Sequence, residues 1–194
     1  MAARTRRMQR RRSERVRAAF PSLRACLLAA APLLGAPSVA GCSGAGAAHA
    51  VSDHPLLGSA APALEVAKAS GKGRITLQDY AGKVVVVDFW ATWCEPCRQS
   101  FPAYQKLTED FAGKLVVLGI SVDESPGDIA GFVSSTGAKF PVGWDDQQTA
   151  AQSYHPPKMP TSFIVDKSGI VRFIHAGFSA GDEARLREEV KSLM

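Results

Sequence analysis

Two cysteines follow an apolar strand pattern, and this feature constrains the fold more than any other in the chain. Val84 to Trp90 is β-branched and aromatic apart from Asp88, which suits a strand buried on both faces. Cys94 and Cys97 follow within the segment WCEPC, and residues 95–111 carry apolar side chains at helical spacing. The pattern predicts a cysteine pair at the start of a helix, directly after a central strand.

The position at the start of a helix makes the cysteine pair reactive. At a helix N-terminus Cys94 meets free N–H groups and the positive end of the helix dipole, which lower a cysteine pKa from about 8.5 towards 7 and favour the thiolate. Cys97 lies three residues further on the same face, within reach to form a disulfide with Cys94 or to attack a mixed disulfide there. Pro96 suits the first helical turn, where its missing N–H has no helical partner. The spacing therefore predicts a redox-active pair.

Two other uses of the pair fit the residues less well. A structural disulfide between neighbours so close closes a small loop and gains little entropic stabilisation. A zinc site needs four ligands, and neither His155 nor His175 stands at ligand spacing from the pair or from the other. We therefore predict no metal and no cofactor beyond the Cys94–Cys97 disulfide.

The positive charge of the chain does not indicate nucleic-acid binding. The formal net charge is +5, but nine of the 23 basic residues precede Gly41, where Glu14 is the only acidic residue. The remainder is mildly acidic, so no basic surface on the folded domain is expected, and nucleic acid is excluded as a partner. A hydrophobic fraction of 46% in 194 residues suffices for one domain with a real core.

The first 41 residues have the pattern of a secretory signal. An Arg-rich segment is followed by an apolar run over 25–40 that is too short for a membrane span and contains two prolines. The run leads into VAGC, which resembles the bacterial lipobox, so we expect a lipoprotein signal peptide over 1–41, cleavage before Cys42 and lipid attachment to Cys42. Residues 42–55 would form a flexible tether. The alternative is an ordinary signal whose cysteine is incidental.

Residues 56–194 alternate strand and helix patterns, which predicts a single α/β domain. A helix is predicted over 128–135 and a short extended segment over 140–144, and the two are interpreted as an added layer. The remaining predicted strands are 75–77, 84–90, 115–122, 161–166 and 170–176, the last two as a hairpin, and a helix over 179–193 ends the chain. On that helix, Glu183 with Arg187 and Arg185 with Glu189 are expected to form exposed pairs.

The segment VVVVDFWATWCEPCR over 84–98 resembles the active-site segment of thioredoxins, most closely the TlpA/ResA-like extracytoplasmic branch. The resemblance extends over residues 56–194. It implies a thioredoxin fold, with a central mixed sheet flanked by helices, and the insertion typical of that branch over 123–154. It also implies thiol–disulfide oxidoreductase activity.

A second part of the resemblance lies at Met159-Pro160, before the predicted hairpin. It is similar to the family's cis-proline loop, which implies a cis bond at Pro160 facing the cysteines and a groove for the extended backbone of a substrate. We predict a substrate-binding surface formed by Trp93, Glu95, Pro96, Met159 and Pro160.

Two positions depart from the TlpA/ResA pattern. Asp88 matches the buried acid of thioredoxin itself, where many members of the branch have Asn; desolvation raises the pKa of such a carboxyl, so Asp88 is predicted to accept the proton of Cys97. The alternative is a carboxylate held only by core hydrogen bonds. Ser100 replaces a glutamate of some cytochrome-maturation members, so the choice between cytochrome c maturation and reduction of metal-site thiols stays open.

The leading hypothesis is a reductase of protein disulfides on the periplasmic side of the cell envelope. Its expected partners are protein thiols and disulfides and a membrane thiol–disulfide electron donor, and the chain is expected to be a monomer. One alternative is a thiol peroxidase, but the peroxiredoxin pattern places Thr and Pro where this chain has Ala91 and Val87. Another is a copper-delivery module. Three residues between the cysteines would have favoured that function, but this chain has two.

Overall fold

The computed structural model describes residues 49–194, so the predicted signal peptide and Cys42 lie outside the described residues. This part of the chain forms a mixed sheet of eight strands in the order β1-β8-β7-β4-β5-β6-β2-β3. The strands are β1 (His49–Ala50), β2 (Glu65–Lys68), β3 (Arg74–Thr76), β4 (Val84–Trp90), β5 (Leu115–Ser121), β6 (Val142–Trp144), β7 (Thr161–Val165) and β8 (Val171–Ala176). The helices are α1 (Glu95–Asp110), α2 (Ile129–Thr136), α3 (Thr149–Tyr154) and α4 (Asp182–Ser192), with a 3-10 helix at Leu77–Tyr80.

Strand β4 lies at the centre of the sheet, and every one of its residues is buried, as predicted. It pairs in parallel with β5 and antiparallel with β7. Because side chains alternate along a strand, Val86 and Trp90 pack in the core cluster that contains α1, whereas Val87 packs on the opposite face of the sheet. Asp88 shares the α1 face, which places its carboxyl in the same layer as the cysteine pair.

Helix α1 begins directly after the cysteine loop. Cys94 is its N-cap, and the helix buries a stripe of side chains that includes Cys97, Phe101, Tyr104 and Leu107. Three- and four-residue spacing puts this stripe on one face, towards β4. The predicted strand–helix–strand unit from β4 through α1 to β5 is confirmed.

The insertion extends the main sheet and does not form a separate layer, so that part of the prediction is wrong. Strand β6 pairs in parallel with β5 and antiparallel with β2, which joins the β2–β3 hairpin to the sheet. Gly143 permits this close approach, since a Cβ there would lie 2.3 Å from Cγ2 of Val66. Strand β2 and helix α3 had no sequence prediction, because both are too short to show a clear period.

The stretch predicted as a tether over 42–55 is fixed to the domain in the residues that the structure describes. Ala50 pairs with His175 of β8, and the N–H of Val51 donates to the carbonyl of Ile174 at 2.9 Å. The His54 ring packs edge-on against Phe163 with the centroids 5.4 Å apart. The physical reason is that β8 would otherwise be an edge strand with unpaired backbone groups.

Helix α4 confirms one predicted ion pair and changes the other. Glu183 and Arg187 lie 3.6 Å apart. Arg185 binds Asp182, one turn earlier, at 2.8 Å. Glu189 turns inwards to a buried histidine of the sheet.

Candidate active site

The cysteine pair is closed as a disulfide, and its two sulfur atoms have different access to solvent. The S–S distance is 2.01 Å, and the Sγ of Cys94 accepts the backbone N–H of Cys97 at 3.3 Å. Cys94 is 4% exposed and Cys97 is 0% exposed. A substrate sulfur can therefore approach only Cys94, and Cys97 can react only with a sulfur already joined to Cys94.

The predicted substrate-binding residues surround Cys94 in different ways. Trp93 is 71% exposed, so a large amphipathic ring projects into solvent beside the reactive sulfur. Glu95 and Pro96 are exposed in the first turn of α1. Met159 is half-buried and packs against the core cluster that contains both cysteines. The structure thus brings Met159, from a distant part of the chain, to the core cluster in which the pair lies.

The Met159–Pro160 peptide bond is cis, as the sequence predicted. Pro160 is buried, and its carbonyl accepts the N–H of Gly177 at 2.7 Å. Thr161, the first residue of β7, stands opposite Phe89 near the carboxyl end of β4. Because Cys94 follows that same end of β4, the loop and the cysteine pair lie at one edge of the sheet.

Asp88 is fully buried in a small network of oxygen atoms. Its Oδ1 accepts hydrogen bonds from the Tyr104 hydroxyl at 3.0 Å and from the Ser162 hydroxyl at 2.9 Å, and the two hydroxyl oxygens lie 2.5 Å apart. Within residues 49–194, Oδ2 has no hydrogen-bond partner. With Asp88 ionised, the two hydroxyl hydrogens serve only two of these three contacts. With Asp88 protonated on Oδ1, all three contacts are hydrogen bonds, because the carboxyl donates to one hydroxyl, that hydroxyl donates to the other, and the second donates back to Oδ1.

The electrostatics agree with this count. Burial raises the pKa of Asp88 from its ordinary value of 3.8 to about 7, and the hydrogen bonds from Ser162 and Tyr104 oppose that rise. The hydrogen bonds of Asp88 go to these hydroxyls and not to Cys97, so its role as the proton acceptor for Cys97 stays a prediction. The sequence did not indicate Tyr104 or Ser162 as parts of the site, because each is a typical core residue of its element.

Asp123 is a further residue that sequence reasoning missed. It is 7% exposed, and both its carboxylate oxygens accept the N–H of Thr92 at 3.1 Å. The hydroxyls of Thr92 and Ser121 also donate to it, at 2.8 and 2.7 Å. These bonds hold the loop between β4 and Cys94. The available signal was an acidic residue placed just after β5, beside the carboxyl end of β4.

The two histidines considered for zinc lie apart in the fold. His155 is exposed at the end of α3, whereas His175 is buried within β8. Among residues 49–194, no group of three or more His, Cys, Asp or Glu side chains is placed to hold a metal ion. None of the helices over the same residues is long and apolar enough to cross a membrane.

The geometry restricts the pair to one kind of reaction. Electrons can enter and leave through Cys94 alone, while Cys97 closes or opens the bond behind it, and this is thiol–disulfide exchange. The class is therefore that of thiol–disulfide oxidoreductases with a thioredoxin fold.

Comparison with known proteins agrees. Residues 57–174 match the AhpC/TSA family. The thioredoxin-like protein YneN of Bacillus subtilis is 37% identical over 123 residues, which are 62% of this chain and 71% of YneN. The thiol–disulfide oxidoreductase ResA of Bacillus thuringiensis is 37% identical over 116 residues, 59% of this chain and 66% of ResA. A crystal structure from Chlorobium tepidum, described as a thiol:disulfide interchange protein DsbE, superposes with a TM-score of 0.67 at 33% identity, covering 71% of this chain and 96% of that one.

The chain thus belongs to the AhpC/TSA family, in its TlpA/ResA-like branch of thioredoxin-fold oxidoreductases. The resemblance seen in the sequence is confirmed, and so is the predicted fold class.

The raised pKa of Asp88 predicts how stability changes with pH. The native state favours the protonated carboxyl, so this contribution is complete below pH 3.8 and is lost as the pH rises through about 7. We expect the free energy of unfolding of the wild type, relative to Asp88→Asn, to fall by a few kcal/mol across that window, at about 1.4 kcal/mol per pKa unit. Urea denaturation of the oxidised proteins measures it.

Ser162→Ala is the matched variant for this titration. It removes a hydrogen bond that lowers the pKa of Asp88, so the loss of stability should begin at the same pH as in the wild type but continue to a higher pH. A difference between wild type and Asp88→Asn that stays constant with pH would show that the carboxyl does not titrate in this range.

Proposed function

We propose that the protein reduces disulfide bonds of other proteins outside the cytoplasm, cycling between a Cys94/Cys97 dithiol and the disulfide. The unequal access of the two sulfurs carries this proposal, because it fits a mechanism with one attacking and one resolving thiol. The redox-active pair is the whole redox centre in this proposal, and no further cofactor takes part.

The reaction proceeds in two exchanges. The Cys94 thiolate attacks one sulfur of the substrate disulfide, the substrate S–S bond breaks, and the other substrate sulfur leaves as a thiolate. Cys97 then gives its proton to the Asp88 carboxylate and attacks the Sγ of Cys94. The second substrate sulfur leaves, two electrons have passed to the substrate, and the enzyme holds the Cys94–Cys97 disulfide. A membrane thiol–disulfide carrier supplies two electrons to restore the dithiol.

The edge of the sheet around Cys94 provides the surface on which we propose that a substrate segment docks. In this proposal the exposed Trp93 ring contacts the substrate on one side of the sulfur, and Met159 with the cis-bonded Pro160 contacts it from the other segment of the chain. Met159 also lines an open groove with Val122 and His155. Such a surface suits an extended peptide around a cysteine, with apolar contacts on both sides.

The residues next to Cys97 bear on which substrates the protein reduces. Ser100 is fully buried, and its hydroxyl donates to the carbonyl of Cys97 at 3.1 Å. A neutral hydroxyl at this position places no extra charge next to the resolving thiol. We therefore propose protein disulfides as the substrate class, without preference between cytochrome c maturation and the reduction of metal-site thiols.

We further propose that the protein is a monomeric lipoprotein on the periplasmic side of the cell envelope, anchored through Cys42. The support is the leader pattern over 1–41 and the VAGC segment. An oxidising compartment is also where a dedicated disulfide reductant is needed.

The two cysteines should respond differently to substitution by serine. Cys94→Ser removes the attacking thiolate, so reduction of a protein disulfide should fall to the uncatalysed rate. Cys97→Ser keeps the attack but cannot resolve it, so a mixed disulfide with the substrate should accumulate, visible as a reducible adduct by mass spectrometry. Cys42→Ala is the control and should keep both activities. Turnover retained by Cys94→Ser would contradict the mechanism.

Asp88→Asn should separate the two exchanges. It leaves formation of the mixed disulfide unchanged but slows its release by about tenfold or more, because the general base for Cys97 is lost. Stopped-flow kinetics of a single turnover resolve the two steps. Asp145→Asn is the control, since Asp145 is also a buried aspartate but caps α3 through the N–H groups of Ala150 and Ala151. Equal slowing of both steps by Asp88→Asn would remove the proposed proton role.

The location is tested by cell fractionation. The full chain should appear in the membrane fraction and carry lipid, and Cys42→Ala should move it to the soluble envelope fraction without loss of oxidoreductase activity. Membrane retention of Cys42→Ala would contradict the lipid anchor.

A further inference from the structure

A small cavity lies next to the residues that bind Asp88. The two hydroxyls that bind Asp88, those of Tyr104 and Ser162, line it, and so does His175 of β8. Its volume is about 10 Å³, which is the room that one water molecule needs. A site of this size with several polar partners suits a water and not a substrate.

His175 is a buried histidine that lines this cavity. It is 5% exposed and stands directly opposite Ser162 in the sheet. Its Nε2 lies 2.5 Å from Oε2 of Glu189, whereas its Nδ1 has no partner in the described part of the chain. When the neutral ring donates from Nε2 to the Glu189 carboxylate, Nδ1 carries a lone pair. That lone pair can accept a proton.

Glu189 connects the ring to solvent. Its side chain is 16% exposed, against 7% for the side chain of His175. The pair therefore spans from the interior of the domain to its surface along helix α4. A buried histidine with one nitrogen on a carboxylate and the other unpartnered is costly unless that nitrogen has a use.

We infer that Tyr104, Ser162, the cavity water, His175 and Glu189 form the route by which the proton taken up by Asp88 reaches solvent. This rests on the proposed function, because Asp88 must first receive the proton of Cys97. His175 is a positioning and relay residue in this route, since it acts through Asp88 and touches no reacting sulfur.

The transfers balance over a catalytic cycle. Asp88 gives its proton to a neighbouring hydroxyl, which passes its own hydrogen to the water. The water protonates Nδ1 of His175, and Nε2 releases its hydrogen to Glu189 and then to solvent. When the donor reduces the disulfide, Cys97 needs a proton back. The same steps then run in reverse, which also restores the first tautomer of His175.

The other charged groups around the cavity do not replace this route. Asp182 lines the cavity, but its oxygens accept from the N–H and hydroxyl of Ser179 and from Arg185. Burial and the charge of Asp88 raise the pKa of Tyr104, so Tyr104 does not ionise on its own and passes a hydrogen on only as it receives one. On the β1 side, the residue paired with His175 is Ala50, which does not titrate.

The test measures release of the mixed disulfide in His175→Gln, whose amide can still bond to Glu189 but cannot relay a proton. Release should slow by about tenfold and should speed up with rising concentration of a small buffer base, while formation stays at the wild-type rate. The wild type should show no dependence on buffer concentration. Asp110→Asn is the control, because it breaks the Arg187–Asp110 contact between α1 and α4 but leaves the cavity intact.

Glu189→Gln retains the His175 ring and tests the proton relay if His175→Gln does not fold. It should show the same slow, buffer-dependent release. The relay would be overturned if the variant that folds released the mixed disulfide at the wild-type rate. It would also be overturned if release slowed only as much as in Asp110→Asn and did not depend on buffer concentration. If Asp88→Asn also releases at the wild-type rate, the proposed role of Asp88 fails. If only Asp88→Asn is slow, the relay alone fails.

Discussion

The complete burial of β4 is the constraint on which the rest of the structure depends. A strand with neighbours on both edges and packed side chains on both faces cannot shift, so its carboxyl end is a fixed point in the molecule. The chain leaves that point through a short loop, tied by Thr92 to Asp123, and enters α1 with Cys94 as the N-cap. The reactive sulfur is thus positioned by the most rigid part of the fold.

The same strand also brings a carboxyl into the core. Asp88 occupies the α1 face because of the period of two along β4, so its environment follows from its place in the strand. A charge in this position lacks the hydrogen bonds to offset its desolvation, because one oxygen has no partner within the described residues. Burial therefore raises the pKa of Asp88 to about 7, so near neutral pH the carboxyl is present both with and without its proton and can take up or give back one.

Much of this was predictable, for identifiable reasons. The bounds of β4 and the start of α1 follow from a continuous apolar run and a helical stripe, both of which are local patterns. The cis bond at Pro160 followed from the family resemblance. The additions to the sheet were not predicted: β1 and β2 had no sequence prediction, and the extended segment over 140–144, which contains β6, was assigned to a separate layer. These strands are held by pairing with distant segments and by a single glycine, Gly143, more than by their own composition. Glu189 was assigned to solvent because its spacing on α4 is that of an exposed face, and only the sheet beneath shows the buried histidine.

The two-residue strand β1 has a mechanical consequence. Since the chain is fixed to β8 from His49 onwards, the span from Cys42 to His49 reaches at most about 25 Å at full extension. If a lipid on Cys42 is inserted in a bilayer, this short connection keeps the folded domain within a thin layer above the lipid surface. Partners fixed in the same membrane would then meet it at a high local concentration, whereas freely diffusing proteins would have to come to that layer.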